Sequence, residues 1–65
     1  MAKMLLIKKI AHIVSQEIET TSDRYTQIWH IKQALISEGQ EIFATDRETI
    51  DDVLDILFFE YKFNA

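Results

Sequence analysis

Hydrophobic residues recur along the first part of the chain at the three- and four-residue spacing of a helix that buries one side. The apolar positions are Leu6, Ile7, Ile10, Ile13, Val14 and Ile18. Polar residues, among them Lys8, Lys9 and Glu19, lie on the opposite face. A strand would need strict alternation, which the neighbouring lysines break. The pattern therefore predicts a first helix over about residues 3–19.

A second helix is predicted over about residues 23–38, where the apolar arc is wide. Its two rows, on either side of Lys32, are Ile28, Ile31 and Leu35, and Tyr25, Trp29 and Ile36. The hydroxyls of residues 20–22 can cap its start, and Asp23 suits the positive end of its dipole. Gly39 follows the last periodic residue, where a left-handed C-terminal cap is common. Each helix of a three-helix bundle meets two neighbours, so we expect both rows to be buried, with Trp29 in the core. In the other interpretation the arc is too broad for one antiparallel neighbour, and part of it is an interaction surface.

The third helix is predicted over about residues 46–62, after a short connection. Thr45 and Glu48 fit a capping box, in which each side chain accepts from the backbone N–H of the other residue. The inward stripe is Ile50, Val53, Leu54, Leu57, Phe58 and Tyr61. In the connection, we expect Ile42 and Phe43 to tuck into the core.

The end of the chain allows two structures. Residues 59–63 alternate apolar and polar positions, which is also a strand signal. Continuation from a capped helix without glycine or proline favours helix over residues 58–63. Together the segments predict an all-α fold, a small antiparallel three-helix bundle, as one domain over residues 1–65.

Composition narrows the class of protein. The chain has 65 residues, 48% hydrophobic and 28% charged, with no cysteine and no proline. This composition excludes a disulfide scaffold, a cysteine-ligated zinc module and most disordered classes. No apolar run approaches the ~18 residues typical of a membrane span, so we expect a soluble cytoplasmic protein. A core this small stabilises the fold only marginally, and small proteins commonly gain stability by oligomerising.

The predicted third helix carries more apolar surface than one core uses. Ile56, Phe59 and Phe63 form a second face, apart from the inward stripe. Exposed apolar patches of this kind typically mark interaction sites. We therefore expect a self-association surface here, giving a homodimer or a higher oligomer. In the other interpretation the tail folds back and Phe63 covers the end of the bundle.

Charge is unevenly distributed along a chain whose formal net charge is −4. Residues 39–65 hold seven acidic and two basic residues, a net of −5. The acidic residues proposed to contact a partner are Glu48, Asp51, Asp52 and Asp55. A row of carboxylates can imitate phosphates and occupy the basic surface of another protein. A solvated helix face with acids near its positive end has the same pattern.

Residues 51–57, Asp-Asp-Val-Leu-Asp-Ile-Leu, resemble an acidic helix of the small immunity proteins that neutralise colicin nucleases. The resemblance is confined to this helix, and the pair of tyrosines that follows in that family is absent. It implies that an acidic helix on a small bundle can serve as the contact face of an inhibitor.

Residues suited to catalysis or metal binding are sparse. His12 and His30 lie on different predicted helices, with no carboxylate at a ligand-like spacing. There is no glycine-rich phosphate loop, and no nucleophile has a base and an orienting group at a suitable spacing. We therefore expect no enzyme, no metal site and no cofactor.

Two classes of function remain in competition. The first is an acidic protein–protein interaction module that regulates or inhibits an unidentified partner. The alternative is a small dimeric DNA-binding transcriptional regulator that reads bases through Arg24, Gln27, His30 and Gln33 of helix 2. The net charge of −4 opposes attraction to phosphate, which favours the first class. A subunit fragment of a larger assembly is a third interpretation.

Overall fold

The computed structural model of the chain describes residues 2–64, and every regular element in that range is helical. The helices are α1 (Ala2–Glu17), α2 (Arg24–Ser37) and α3 (Arg47–Tyr61), with a 3₁₀ helix (Glu41–Thr45) before α3. They pack into a globule of 27 × 20 × 19 Å. The prediction of three α-helices is confirmed, and each end lies within two residues of its predicted position.

The core is built from one side of each helix. Its fully or nearly buried apolar residues are Ile7, Ile10, Ala11, Val14, Ile31, Ala34, Leu35, Ala44, Ile50, Val53, Leu54, Leu57 and Phe63. Phe43 packs against this cluster, but Ile42 is 78% exposed, so the prediction for Ile42 is wrong. The 3₁₀ helix turns Ala44 inward, and Ile42 consequently faces solvent.

The start of α2 is capped one residue later than residues 20–22 suggested. A carboxylate oxygen of Asp23 accepts from the backbone N–H of Thr26 at 2.8 Å. This bond stabilises the ionised carboxylate and lowers the pKa of Asp23 below its ordinary value. The predicted glycine cap at the other end of α2 is confirmed. Gly39 has φ 76°, and the N–H of Gln40 donates to the Leu35 carbonyl at 2.9 Å.

The predicted capping box is not formed at the start of α3. Thr45 is the last residue of the 3₁₀ helix, and its hydroxyl donates to the Ile42 carbonyl at 3.3 Å. The N-cap position therefore falls to Asp46. A carboxylate oxygen of Asp46 accepts from the Thr49 hydroxyl at 2.5 Å. That hydrogen bond, with a smaller contribution from Lys3, lowers the pKa of Asp46.

The end of the chain is neither a strand nor a continued helix. α3 ends at Tyr61, and Lys62 takes the left-handed conformation with φ 66°. The chain then turns back, and the N–H of Phe63 donates to the Leu57 carbonyl at 3.0 Å. Phe63 is 2% exposed and belongs to the core. The helical prediction therefore holds through Tyr61 but not for the last two residues of the predicted range.

A buried glutamine ties this tail to the loop between α1 and α2. The Gln27 side-chain amide donates to the carbonyls of Ser22 at 2.9 Å and Asn64 at 3.1 Å. The N–H of Asn64 donates to the Thr20 carbonyl at 3.0 Å. Gln27 is 2% exposed, and its two bonds satisfy backbone carbonyls that would otherwise lack these donors.

Candidate functional site

The outer side of α3 combines acidic and aromatic residues. We call the α3 face the exposed set that helical spacing places together: Glu48, Asp51, Asp55, Phe58 and Phe59. Phe59 is 69% and Phe58 is 44% exposed, and their rings meet edge to face at 4.9 Å. The prediction that Phe58 points into the core is wrong. The result is an exposed aromatic pair directly beside carboxylates.

The acidic residues of α3 have no cationic partner. Glu48, Asp51 and Asp55 are exposed and Asp52 is half-buried. Within residues 2–64 none of the four takes part in an ion pair. Their carboxylates therefore make no direct ion pair, although Arg24, Lys32 and Arg47 line a groove together with Asp51. Acidic groups without a direct partner can attract a basic surface.

The predicted self-association face does not form as one exposed surface. Phe63 is buried at the turn after α3, and Ile56 is half-buried against the core. Only Phe59 of the three lies in the open. The interpretation in which the tail folds back and Phe63 covers the end of the bundle describes what the structure shows.

Two grooves run between α2 and α3. The larger, of about 280 Å³, is lined by Arg24, Ile28, Lys32, Thr45, Arg47, Ile50 and Asp51. The other, of about 210 Å³, is lined by Arg24, Gln27, Leu54, Asp55, Phe58, Phe59 and Asn64. Arg24 borders both, so the second groove links the aromatic pair of the α3 face to a cationic side chain on α2.

The outer side of α2 is a second exposed apolar surface. We call the α2 strip the residues Tyr25, Trp29, Lys32 and Ile36. Tyr25 is 79%, Trp29 51% and Ile36 45% exposed, so the prediction that both rows of α2 are buried is wrong. The row containing Ile31 and Leu35 packs on the core, and the other row faces away from it. The Trp29 ring rests edge-on against the His30 ring at 5.1 Å.

The four residues suggested as DNA readers do not share one accessible face. Gln27 is buried and bonded to backbone carbonyls. His30 is half-buried, with Nδ1 3.1 Å from a carboxylate oxygen of Glu17. Arg24 and Gln33 are exposed. A reading surface on α2 would therefore lack its central glutamine.

Groups of catalytic type are engaged in structural bonds. The Ser15 hydroxyl donates to the His12 backbone carbonyl at 2.6 Å rather than to an imidazole. His12 Nδ1 lies 3.4 Å from the Tyr61 hydroxyl. Across the described range, no group of three or more histidine or acidic side chains is placed to hold a metal ion. None of the helices described is long and apolar enough to cross a membrane.

The geometry defines a small all-α protein whose accessible chemistry lies on two helix faces and the grooves between them. No family model matches this chain, and no match was found among curated proteins or solved structures.

Proposed function

We propose that the protein is a non-enzymatic interaction module of the cytoplasm that regulates or inhibits a partner protein with a basic surface. It does so through the α3 face, and it works as a homo-oligomer. The observation that carries the proposal is the exposed Phe58–Phe59 pair, with the unpaired carboxylate of Asp55 about one turn before it and that of Asp51 about two turns before it on the same helix.

The two kinds of side chain on the α3 face contribute differently to binding. Aromatic side chains dominate interface energetics, because each offers a large rigid apolar area. Exposed ion pairs add little affinity, but complementary charge speeds association and rejects partners of the wrong sign. Phe58 and Phe59 therefore supply affinity in this proposal, and Asp51 and Asp55 supply rate and selectivity.

The proposal takes neighbouring helices as antiparallel, as their short connections imply. The groove linings support this arrangement for α2 and α3. Lys32, late in α2, lines a groove with Arg47 at the start of α3. Gln27, early in α2, lines a groove with Phe59 near the end of α3. With this packing, Asp55 and the aromatic pair of the α3 face lie beside the first turns of α2.

The test is capture of a partner by the immobilised chain from nuclease-treated native lysate. The variant Asp51→Asn/Asp55→Asn removes two charges from the α3 face. The matched control, Glu41→Gln/Glu60→Gln, removes two charges from exposed positions elsewhere. We expect the wild type and the control to retain a protein that the variant loses. Salt should release it, since screening at ~1 M shortens the Debye length to ~3 Å.

Equal capture by variant and control would refute a role for the α3 face. A protein retained from untreated lysate but not from nuclease-treated lysate would instead support the nucleic-acid alternative and overturn the proposal. Phe59→Ser separates the two contributions. It should weaken the captured complex through faster dissociation while leaving its salt dependence unchanged.

A further inference from the structure

We infer that a second copy of the chain docks on the α2 strip, with the two α2 helices antiparallel and Trp29 of each copy over Lys32 of the other. The inference deepens the proposed homo-oligomer, because it assigns the self-association to a surface. That surface lies next to the one proposed for the partner, since Lys32 of the α2 strip and Asp51 of the α3 face line one groove.

Charge selects α2 over α3 as the surface for a second copy. A two-fold contact centred on the acidic part of the α3 face would bring Glu48, Asp51 and Asp55 toward the same residues of the other copy. Like charges so placed repel, and no cation on that face pairs with them. The α2 strip contains no carboxylate, and its one charge is that of Lys32. Nearby Glu17 and Glu38 are engaged by His30 and Lys9.

The spacing of the α2 strip is that of a helix-to-helix seam. Its members follow one another at intervals of four, three and four residues, which keeps them on one narrow line of the helix. A two-fold axis crossing this line between residues 30 and 31 sets Tyr25 against Ile36 of the other copy. The same axis sets Trp29 against Lys32. The surface is thus complementary to itself, as a two-fold interface requires.

The contact between Trp29 and Lys32 favours the antiparallel arrangement of the two α2 helices. An ammonium over an indole face is attracted by the ring quadrupole, and tryptophan is the best aromatic partner for it. Because the two-fold axis generates the contact twice, Lys32 faces an indole instead of another lysine. In a parallel arrangement each Lys32 would face its counterpart, so electrostatics favour the antiparallel pair.

The exposed area fits a weak dimer. At the exposures of 79%, 51% and 45%, the apolar members of the α2 strip offer on the order of 350 Å² per copy. With flanking residues this approaches the lower end of specific interfaces, which start near ~1,000 Å² in total. We therefore expect a weak dimer whose population rises with protein concentration.

The test follows self-association by sedimentation velocity from about 1 µM to 1 mM, a range that covers weak dimers. Trp29 is the only tryptophan, and its emission reports directly on the surface in question. We expect a shift from monomer to dimer, with emission moving to shorter wavelength over the same concentrations. Since the contact is mostly apolar, 0.5 M salt should change its affinity little.

Two matched pairs of variants at exposed positions locate the interface. Lys32→Glu should weaken dimerisation by about tenfold or more, whereas Lys8→Glu on α1 should not. Tyr25→Ser should weaken dimerisation by about three- to tenfold, whereas Phe59→Ser should not. A dimer that Phe59→Ser abolishes and Lys32→Glu spares would overturn the inference, and so would a monomer at every concentration. Partner capture by the α3 face is tested separately with Tyr25→Ser, which should leave it intact because Tyr25 lines neither groove between α2 and α3.

Discussion

The outer faces of α2 and α3 both expose large hydrophobic side chains, but only α3 surrounds them with carboxylates. The α2 strip presents Tyr25, Trp29 and Ile36 with a single lysine. The α3 face presents Phe58 and Phe59 next to unpaired Asp51 and Asp55. Exposed apolar area indicates that a surface interacts, whereas the charge around that area decides which kind of partner the surface binds. In our proposal the α2 strip therefore binds a second copy of the chain, and the α3 face binds a partner protein with a basic surface.

The comparison of the two surfaces depends first on whether Phe63 belongs to the core or to the exposed apolar surface of α3. We expect Phe63→Ala to lower the free energy of unfolding by about 3–5 kcal/mol, because its ring fills the core. Phe59→Ala should cost less than about 1 kcal/mol, because that ring is mostly exposed. Urea unfolding followed by circular dichroism at low micromolar concentration measures both. Equal losses would mean that Phe63 is not part of the core.

The helices themselves could be predicted from the sequence, because their signals are local. Apolar spacing marked all three, and Gly39 marked the end of α2, since a left-handed cap there favours glycine. The N-caps of α2 and α3 lie one residue later than predicted. At α3 the 3₁₀ helix occupies Thr45, and at α2 Asp23 competes well with the hydroxyls before it. Neither shift changes which side of a helix is buried.

The faces were harder to predict, because burial depends on partners distant in the chain. The wide apolar arc of α2 does not indicate which of its two rows packs on the core, and the prediction that Trp29 lies in the core is wrong. Gln27 has no sequence signal for burial, since one of its partners is the carbonyl of Asn64, far along the chain. The apolar spacing predicts Phe63 on a helix face. The structure differs because Lys62, a residue type that rarely takes positive φ, turns the chain before Phe63.

Removing the charge that distinguishes the α3 face from the α2 strip should remove the difference in what the two surfaces bind. With Asp51→Asn/Asp55→Asn, the aromatic pair of the α3 face loses the nearest carboxylates that keep copies apart. We expect this variant to form species larger than a dimer, with association through α3 strengthened about two- to tenfold. Two separate two-fold surfaces on one chain join dimers into larger assemblies, which are closed or open. Sedimentation at high concentration measures their size, and Glu41→Gln/Glu60→Gln is the charge-matched control that should stop at the dimer.

The smallest expected effect distinguishes the starts of the two helices. Asp23 caps α2 and Asp46 precedes α3, and both have a pKa below the ordinary 3.8 in the folded chain. A carboxyl whose pKa is lowered by folding stabilises the fold while it is ionised. This contribution is present above pH 3.8 and is lost as the pH falls through the lower, folded value. Stability should therefore decline on acidification below that point.

The causes of the two shifts differ, so a single substitution can separate them. The Asp23 carboxylate accepts mainly from a backbone N–H, whereas Asp46 depends chiefly on the Thr49 hydroxyl. Thr49→Val keeps the size of this buried side chain and removes its hydroxyl. We expect the pKa of Asp46 to rise toward its ordinary value and that of Asp23 to stay low, as followed by carbon NMR of the carboxyl groups. If both pKa values rose together, the substitution would have loosened the bundle, and the hydroxyl could not be the specific cause at α3.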